Sequence, residues 1–338
     1  MNIGKLSNEE LKNLVFSRLP KLSERTLLGA SIGADCAYIS LGPKTLIASS
    51  DPITAGGMLS GTLAVHVSCN DIASTGVRPI GILIVILVPP HATESDLIRI
   101  VEQASASAQL LGVDIVGGHT EVTDSVNRFV VTTTAFGVSD TSSPKLIGKA
   151  LPGDTLIMTK SAAIEGTYII ANNHYDKIKG RVSDSLISQA KDLIQMISVV
   201  EDGVVAASCV DGRLASDGSA QSLVHLMHDT TEGGVLGAAY EMAEFSGIGL
   251  TVNQDSIPIH PATSALCEIL DVDPLRLIGS GSMLIATSNP ERVMRSLSDA
   301  DIPSAHIGTF TESGYQLFDH HESAIPFLPP QKDHVYKL

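Results

Sequence analysis

Apolar positions along this chain follow two spacings, and the switches between them mark the elements. Residues 37–41 and 45–50 alternate as half-buried strands do, joined by the turn Gly42-Pro43-Lys44. Residues 80–88 form a near-continuous aliphatic run, which predicts a strand buried on both faces. Residues 113–116 and 129–138 read as further strands. Residues 61–75 are mostly apolar but of helical length. Ser7 followed by Glu10 has capping-box spacing and predicts a first helix over 8–18. Thr93 and Asp96 open another helix, and Gly112 ends it.

Leu151-Pro152-Gly153-Asp154 interrupts the pattern. Beyond it, strands predicted at 155–159, 223–227, 248–252, 282–287 and 305–308 alternate with helices. That order predicts an α/β (α+β) protein of two domains, 1–150 and 151–338. The stretch from Ile325 onward is Pro-rich and polar and reads as a loose tail.

Composition narrows the function classes. A length of 338 residues suits two domains. Trp is absent, so the core must come from Ile, Val, Leu and Ala. A net charge of −15 lacks the basic footprint of a nucleic-acid binder, so no nucleic-acid partner is expected. No uncharged apolar run is long enough to span a membrane. The opening residues lack the apolar core of a signal peptide. Cys36, Cys69, Cys209 and Cys267 are scattered without a CxxC pair, which argues against zinc and for a reducing, cytoplasmic setting.

Chemistry gathers in a few segments. Asp35 follows Gly33; Asp51 closes an apolar strand before Pro52; Asn70 and Asp71 lie inside the apolar helix; Asp229, Thr230 and Thr231 precede Gly233-Gly234. A carboxylate among apolar neighbours is costly unless it is paired or holds a metal. Asp35 and Asp51 each admit a second reading, as loop and turn residues. Asp71 admits it less readily, because a solvated Asp would need an exposed face on that helix. Converging carboxylates would make a hard-cation site for Mg²⁺ on a nucleotide. Gly117-Gly118-His119-Thr120-Glu121 follows a strand and could let backbone N–H groups approach phosphate. A plain turn is the commoner meaning of such a glycine pair, and His119 reads equally as a loop histidine. The helix start after Thr231 offers N–H groups to an anion, or a simple N-cap by Asp229 or Thr230. There is no Walker loop and no dinucleotide fingerprint.

Taken in order, Gly33-x-Asp35-x-Ala37, Asp51-Pro52-Ile53, Asn70-Asp71-Ile72-Ala73-x-x-Gly76-x-Arg78-Pro79, Gly117-Gly118-His119-Thr120-Glu121 and Asp229-x-Thr231-x-Gly233-Gly234 resemble the aminoimidazole-ribotide-synthetase-like superfamily. Within it the chain most resembles the hydrogenase expression/formation (HypE) branch. The resemblance implies a two-domain synthetase-like fold, whose N-terminal half closes an intersubunit β-barrel in a homodimer under a C-terminal α/β layer. It implies ATP and Mg²⁺ as cofactors. Asp35, Asp51, Asp71 and Asp229 would hold the metal, and Asn70, Gly117, Gly118, His119, Thr120 and Thr231 would line the nucleotide site. The implied chemistry is transfer of a phosphoryl group to an oxygen of a small-molecule or peptide-group acceptor. That branch uses a C-terminal cysteine as acceptor, and no cysteine follows Cys267 here. The acceptor is therefore unnamed, and a non-catalytic nucleotide-binding dimer or scaffold is the alternative.

Overall fold

The structure, a computed structural model, describes residues 4–54, 56–140, 148–214, 220–319, 323–330 and 332–338. The first half opens with a turn of helix, α1 (Asn8–Glu10), capped reciprocally by Ser7 and Glu10. The regular helix expected over 8–18 stops there and continues as a wider turn (Leu11–Val15) and a tighter one (Phe16–Arg18). Side chains of Ser17 and Arg18 take the Asn13 carbonyl, a bond that competes with the helical ladder.

Strands β1 (Thr26–Leu28), β2 (Ala37–Ser40), β3 (Thr45–Ile53), β4 (Pro79–Val88), β5 (Asp114–Val122) and β6 (Val130–Ser139) form one sheet in the order β1-β2-β3-β6-β4-β5. Its pairs are antiparallel except β4 with β5. Two longer helices follow α1 in this half, α2 (Ser60–Ser74) and α3 (Glu94–Leu111). Gly112 ends α3 in the left-handed conformation, as its position predicts.

The second half contributes α4 (Ile164–Asn173), α5 (Tyr175–Ile178), α6 (Asp184–Asp192), α7 (Val200–Ala207), α8 (Gly234–Ser246), α9 (Pro261–Leu270) and α10 (Pro290–Asp299). Its strands are β7 (Thr155–Thr159), β8 (Val210–Leu214), β9 (Ala220–Ser222), β10 (Val224–Asp229), β11 (Gly249–Asn253), β12 (Met283–Thr287), β13 (Ser304–Thr311), β14 (Tyr315–Phe318) and β15 (Ala324–Pro326). Apart from the small β8-β9 pair they make a seven-stranded sheet, β10-β12-β7-β13-β11-β14-β15, in which only β11 and β14 run parallel. The fold is mixed α/β, as the element order predicts.

Helix α2 joins the halves. Nearly every side chain from Ser60 to Ser74 is buried, because α2 packs on β3, β6 and α3 on one side and on α7 and β10 on the other. A helix enclosed in this way needs apolar residues all round, which explains why residues 61–75 show no polar face. The core around it runs continuously from Ile47, Ile72 and Ile82 to Ile157, Met227 and Ile285.

The tail is packed, in contrast to the loose segment its composition suggests. Ile325 pairs with Leu317, Phe327 joins the second-half core, and Asp333 is 1% exposed. Val335 and Leu338 pack against the cluster around Leu266 and Leu277. These are contacts between residues far apart in sequence, which local composition does not encode.

Candidate active site

The two-residue period of β3 sends Thr45, Ile47 and Ser49 to the face that meets α2, and Asp51 continues that row. On α2, Leu63, Val67 and Asp71 recur every four residues and share one side. The two rows meet where the Ser49 hydroxyl donates to Oδ2 of Asp71. Asp229 is the last residue of β10, the strand that abuts α2. Asp35 arrives on the loop before β2. That loop runs so close to α8 that a Cβ on Gly33, at φ +74°, would sit 2.8 Å from the Glu241 carbonyl oxygen. Only glycine fits both that conformation and that gap.

Asp35, Asp51, Asp71 and Asp229 thus come to one place from four segments. Their electrostatics show how tightly. Burial holds the Asp71 carboxyl well above the carboxylate range, and the charges of Asp229 and Asp51 push it further. Burial, with the nearby Asp35 charge, pushes Asp229 up to about 7, against the opposing pull of His228. Asp35 is raised mainly by burial, with His228 again opposing. No protein donor reaches either oxygen of Asp229, which is fully buried. The neighbouring His228 and Asp71 offset this only in part.

Two cations balance part of this charge. His228 Nδ1 donates to the Asp229 carbonyl at 2.7 Å, while Nε2 lies 3.4 Å from both Asp35 and Glu241. Burial alone would lower the imidazole, but the Asp35 and Glu241 carboxylates outweigh it and raise His228 to about 10. The ring is thus a counter-charge to Asp35 and Glu241, and Asp35, His228 and Asp229 also cluster at metal-ligand spacing. Partial desolvation lowers Lys5, brought half-exposed by the N-terminal segment, but Glu241 at 3.8 Å, Asp35 and Glu232 outweigh it and raise the amine.

The cluster borders a cavity of about 1290 Å³. Asp35, Asp51 and Asp71 line it together with Lys5, Arg128, Thr231, Glu241 and Tyr336. Asp229 lies behind this wall. A hard divalent cation fits the donor set: carboxylate oxygens from several segments, two of them desolvated without partners.

The other sequence-predicted residues fall elsewhere. Asn70 sits a helical step from Asp71 and faces α7: its amide donates to the Ile197 carbonyl and its oxygen accepts from the Val199 N–H, both at 2.9 Å. Gly117, Gly118, His119 and Thr120 lie on β5, the exposed edge of the first sheet, and none lines the cavity. Gly118 serves the sheet, since a Cβ there would lie 1.7 Å from the Ile84 carbonyl oxygen. His119 faces Glu121 at 3.3 Å. Thr231 lines the cavity, but the helix start beyond it already holds an anion. The Asp333 carboxylate accepts from the Gly233 N–H at 2.6 Å and the Ile278 N–H at 3.2 Å.

Sequence reasoning gave no role to His228, Glu241, Lys5, Glu165, Ser280 or Asp333. Glu241 carried a signal, being seven residues past Gly234 and so two helical turns along one face of α8. The others depend on contacts across more than one element.

Comparison with known proteins matches both halves. Residues 33–139 match the N-terminal domain of AIR synthase related proteins, and residues 152–320 match the C-terminal domain. The chain is 26% identical over 293 residues to a putative hydrogenase expression/formation protein of Methanocaldococcus jannaschii, covering 85% of this chain and 81% of that one. It is 29% identical over 270 residues to the carbamoyl dehydratase HypE of Azotobacter vinelandii, covering 78% and 73%. Its fold superposes on the hydrogenase maturation protein HypE in complex with ATP, with a TM-score of 0.67 at 20% identity over 98% and 94% of the two chains. With both halves matched, this chain belongs to the AIR synthase related family and is similar to its HypE-type hydrogenase maturation members.

Proposed function

We propose that the chain is an ATP- and Mg²⁺-dependent phosphoryl-transfer enzyme that activates an oxygen of an acceptor and releases ADP. The observation that carries this reading is Asp229, fully buried with both oxygens unpartnered, beside Asp71 and at the back of a large cavity. Such a group costs stability in a resting protein and is retained where a cation completes it. Asp35, Asp51, Asp71 and Asp229 would hold Mg²⁺, which when bound neutralises phosphate charge during transfer. Ser49 orients Asp71, and His228 with Glu241 fixes Asp35. Lys5 and Arg128 present positive charge to the phosphates from the cavity wall. The ATP complex of the similar HypE structure supports a nucleotide here.

The acceptor is not a thiol of these 338 residues. All four cysteines are buried, and burial raises Cys36 well above the thiol range and Cys69 and Cys267 to about 12. A carbamoyl dehydratase reaction of the kind named for the relatives would therefore act here on a group other than these four thiols.

A division into an N-terminal nucleotide and dimerisation domain (1–150) and a C-terminal domain (151–338) fits this reading. So does a homodimer. Strand β5 is exposed along its whole length and carries Ile115, Val116 and Val122 in the open. An edge of that kind invites a strand partner, and a second copy closing a barrel removes it. It would also bring Gly117–Thr120 into an assembled site. Among the described residues no helix is long and apolar enough to cross a membrane.

Steady-state ADP release from the pure protein, with and without Mg²⁺, tests the proposal. Mg²⁺-dependent release supports it. Tight nucleotide binding without any turnover would leave the non-catalytic dimer in its place.

A further inference from the structure

The four aspartates come from both halves of the chain: Asp35, Asp51 and Asp71 from the first, Asp229 from the second. A path of close contacts also links Asp229 to Asp71 through the body of the second half. Asp229 pairs in register with Met283 of β12. The Met283 N–H donates to the Thr159 hydroxyl at 2.9 Å. Lys160 follows Thr159, the last residue of β7. Its amine donates to the carbonyls of Met196 and Ser198 at 3.3 and 2.6 Å, and to the Asp202 carboxylate at 3.1 Å. Asn70, the neighbour of Asp71, takes the alternate groups of the same turn, the Ile197 carbonyl and the Val199 N–H.

Residues 196–199 are thus gripped from two sides, by Lys160 of the second half and by Asn70 of the first. Lys160 adopts φ +57°, the left-handed region that favours glycine. A lysine held there carries backbone strain, and its buried amine has an acceptor for each of its three N–H bonds. The side chain, not the backbone, therefore accounts for this residue. Asn70 is 0% exposed and commits both ends of its amide to the turn. Helix α7, which begins just beyond, packs on α2 without slack. A Cβ on Gly203 would lie 2.1 Å from the Ala73 carbonyl oxygen. A displaced turn would therefore carry α2, and Asp71 with it.

We propose that Lys160 and Asn70 are positioning residues for the metal site: by clamping residues 196–199 from opposite sides they set the Asp71 carboxylate against Asp229. The assignment rests on the reading of those aspartates as metal ligands. Neither residue lines the cavity, so each acts through the turn. Metal affinity depends on how firmly the ligands are held, and partners outside the ligand set commonly carry tenfold or more of it, at order-of-magnitude precision. Lys160 with Asp202 could also serve the fold alone, as a buried ion pair. A pair of that kind can be replaced by apolar residues with little loss of stability, whereas its hold on the two carbonyls cannot. That difference separates the two roles.

Native protein is compared with Asn70→Ala and with Lys160→Met combined with Asp202→Leu, which removes both buried charges together and so preserves the fold. ATP affinity is measured by calorimetry with Mg²⁺ and with EDTA. Both variants should keep the metal-free affinity and lose about tenfold with Mg²⁺. All three substitutions together should lose little more than either variant, because the two residues act through one turn. In protein free of metal and nucleotide, hydrogen exchange at the Val199 amide should speed by at least about tenfold in the Lys160→Met, Asp202→Leu variant. Native protein without any Mg²⁺ preference would remove the metal reading, and this assignment with it. A native preference that either variant retains in full would overturn the assignment alone. So would losses that add, affinities that fall alike with and without Mg²⁺, or unchanged exchange at Val199.

Discussion

The Ser49 hydroxyl donates to Oδ2 of Asp71, tying the strand that carries Asp51 to the central helix. It is the one hydrogen bond from a neutral side chain that reaches the Asp71 carboxyl among the described contacts. Its role in the proposed site is to aim that carboxyl. Replacing Ser49 with Ala should weaken Mg-ATP binding by about three- to tenfold while leaving metal-free ATP unaffected. Calorimetric titration with Mg²⁺ and with EDTA separates the two. Equal weakening in both would assign the hydroxyl to the fold alone.

Asp229 sets stability against function. A fully buried carboxyl without a donor is costly, so the isosteric Asp229→Asn should raise the melting temperature of the metal-free protein. It should also abolish the upward shift that Mg²⁺ with ATP gives the native protein. A variant that melts lower and still responds to Mg-ATP would contradict both the orphaned carboxyl and its role as ligand.

Glu165 gives a pH signature. Its folded value, about 7, lies above the ordinary 4.5, so between those values the folded chain holds a proton that the unfolded chain has lost. Stability from this group is present below about 4.5 and is lost as pH rises through 7. The full loss is on the order of 3 kcal/mol. The aspartate cluster titrates over an overlapping range, so the comparison with Glu165→Gln carries the test. That variant should unfold at higher urea than native protein at pH 8 and at similar urea at pH 5. Parallel stability curves for the two proteins would refute the burial argument.

The open edge strand predicts assembly. Val116 is 61% exposed on β5, beside Ile115. Light scattering should show a dimer at micromolar concentration, and Val116→Lys should shift it to monomer without lowering its unfolding free energy by more than about 1 kcal/mol. A native monomer would remove the basis for completing the site with a second copy.

Much of the site could be read from patterns internal to one element. Asp51 continues the two-residue row of Ile47 and Ser49, and Asp71 lies in a helix with no polar face to solvate it. Both patterns state burial, and burial is what makes a carboxylate informative. Asn70 shows the limit of reading by neighbourhood. One residue along a helix is a rotation of about 100°, enough to turn it from the carboxylates to α7. His228 was out of reach because its charge depends on Asp35 and on Glu241 of α8. The tail misled for the same reason. Proline and polar residues suggest looseness, yet Asp333 is fixed by backbone N–H groups of Gly233, Ile278 and Val335, the first of them 100 residues away.

The central claim is that four converging carboxylates hold a metal-bound nucleotide, and calorimetry on Asp71→Asn tests it most directly. Native protein should bind ATP at least about tenfold more tightly with Mg²⁺ than with EDTA, since the metal relieves repulsion between phosphate and carboxylate. Asp71→Asn should lose that difference while keeping the metal-free affinity. Native protein that binds ATP equally well with EDTA, or a variant that loses both affinities alike, would contradict the account.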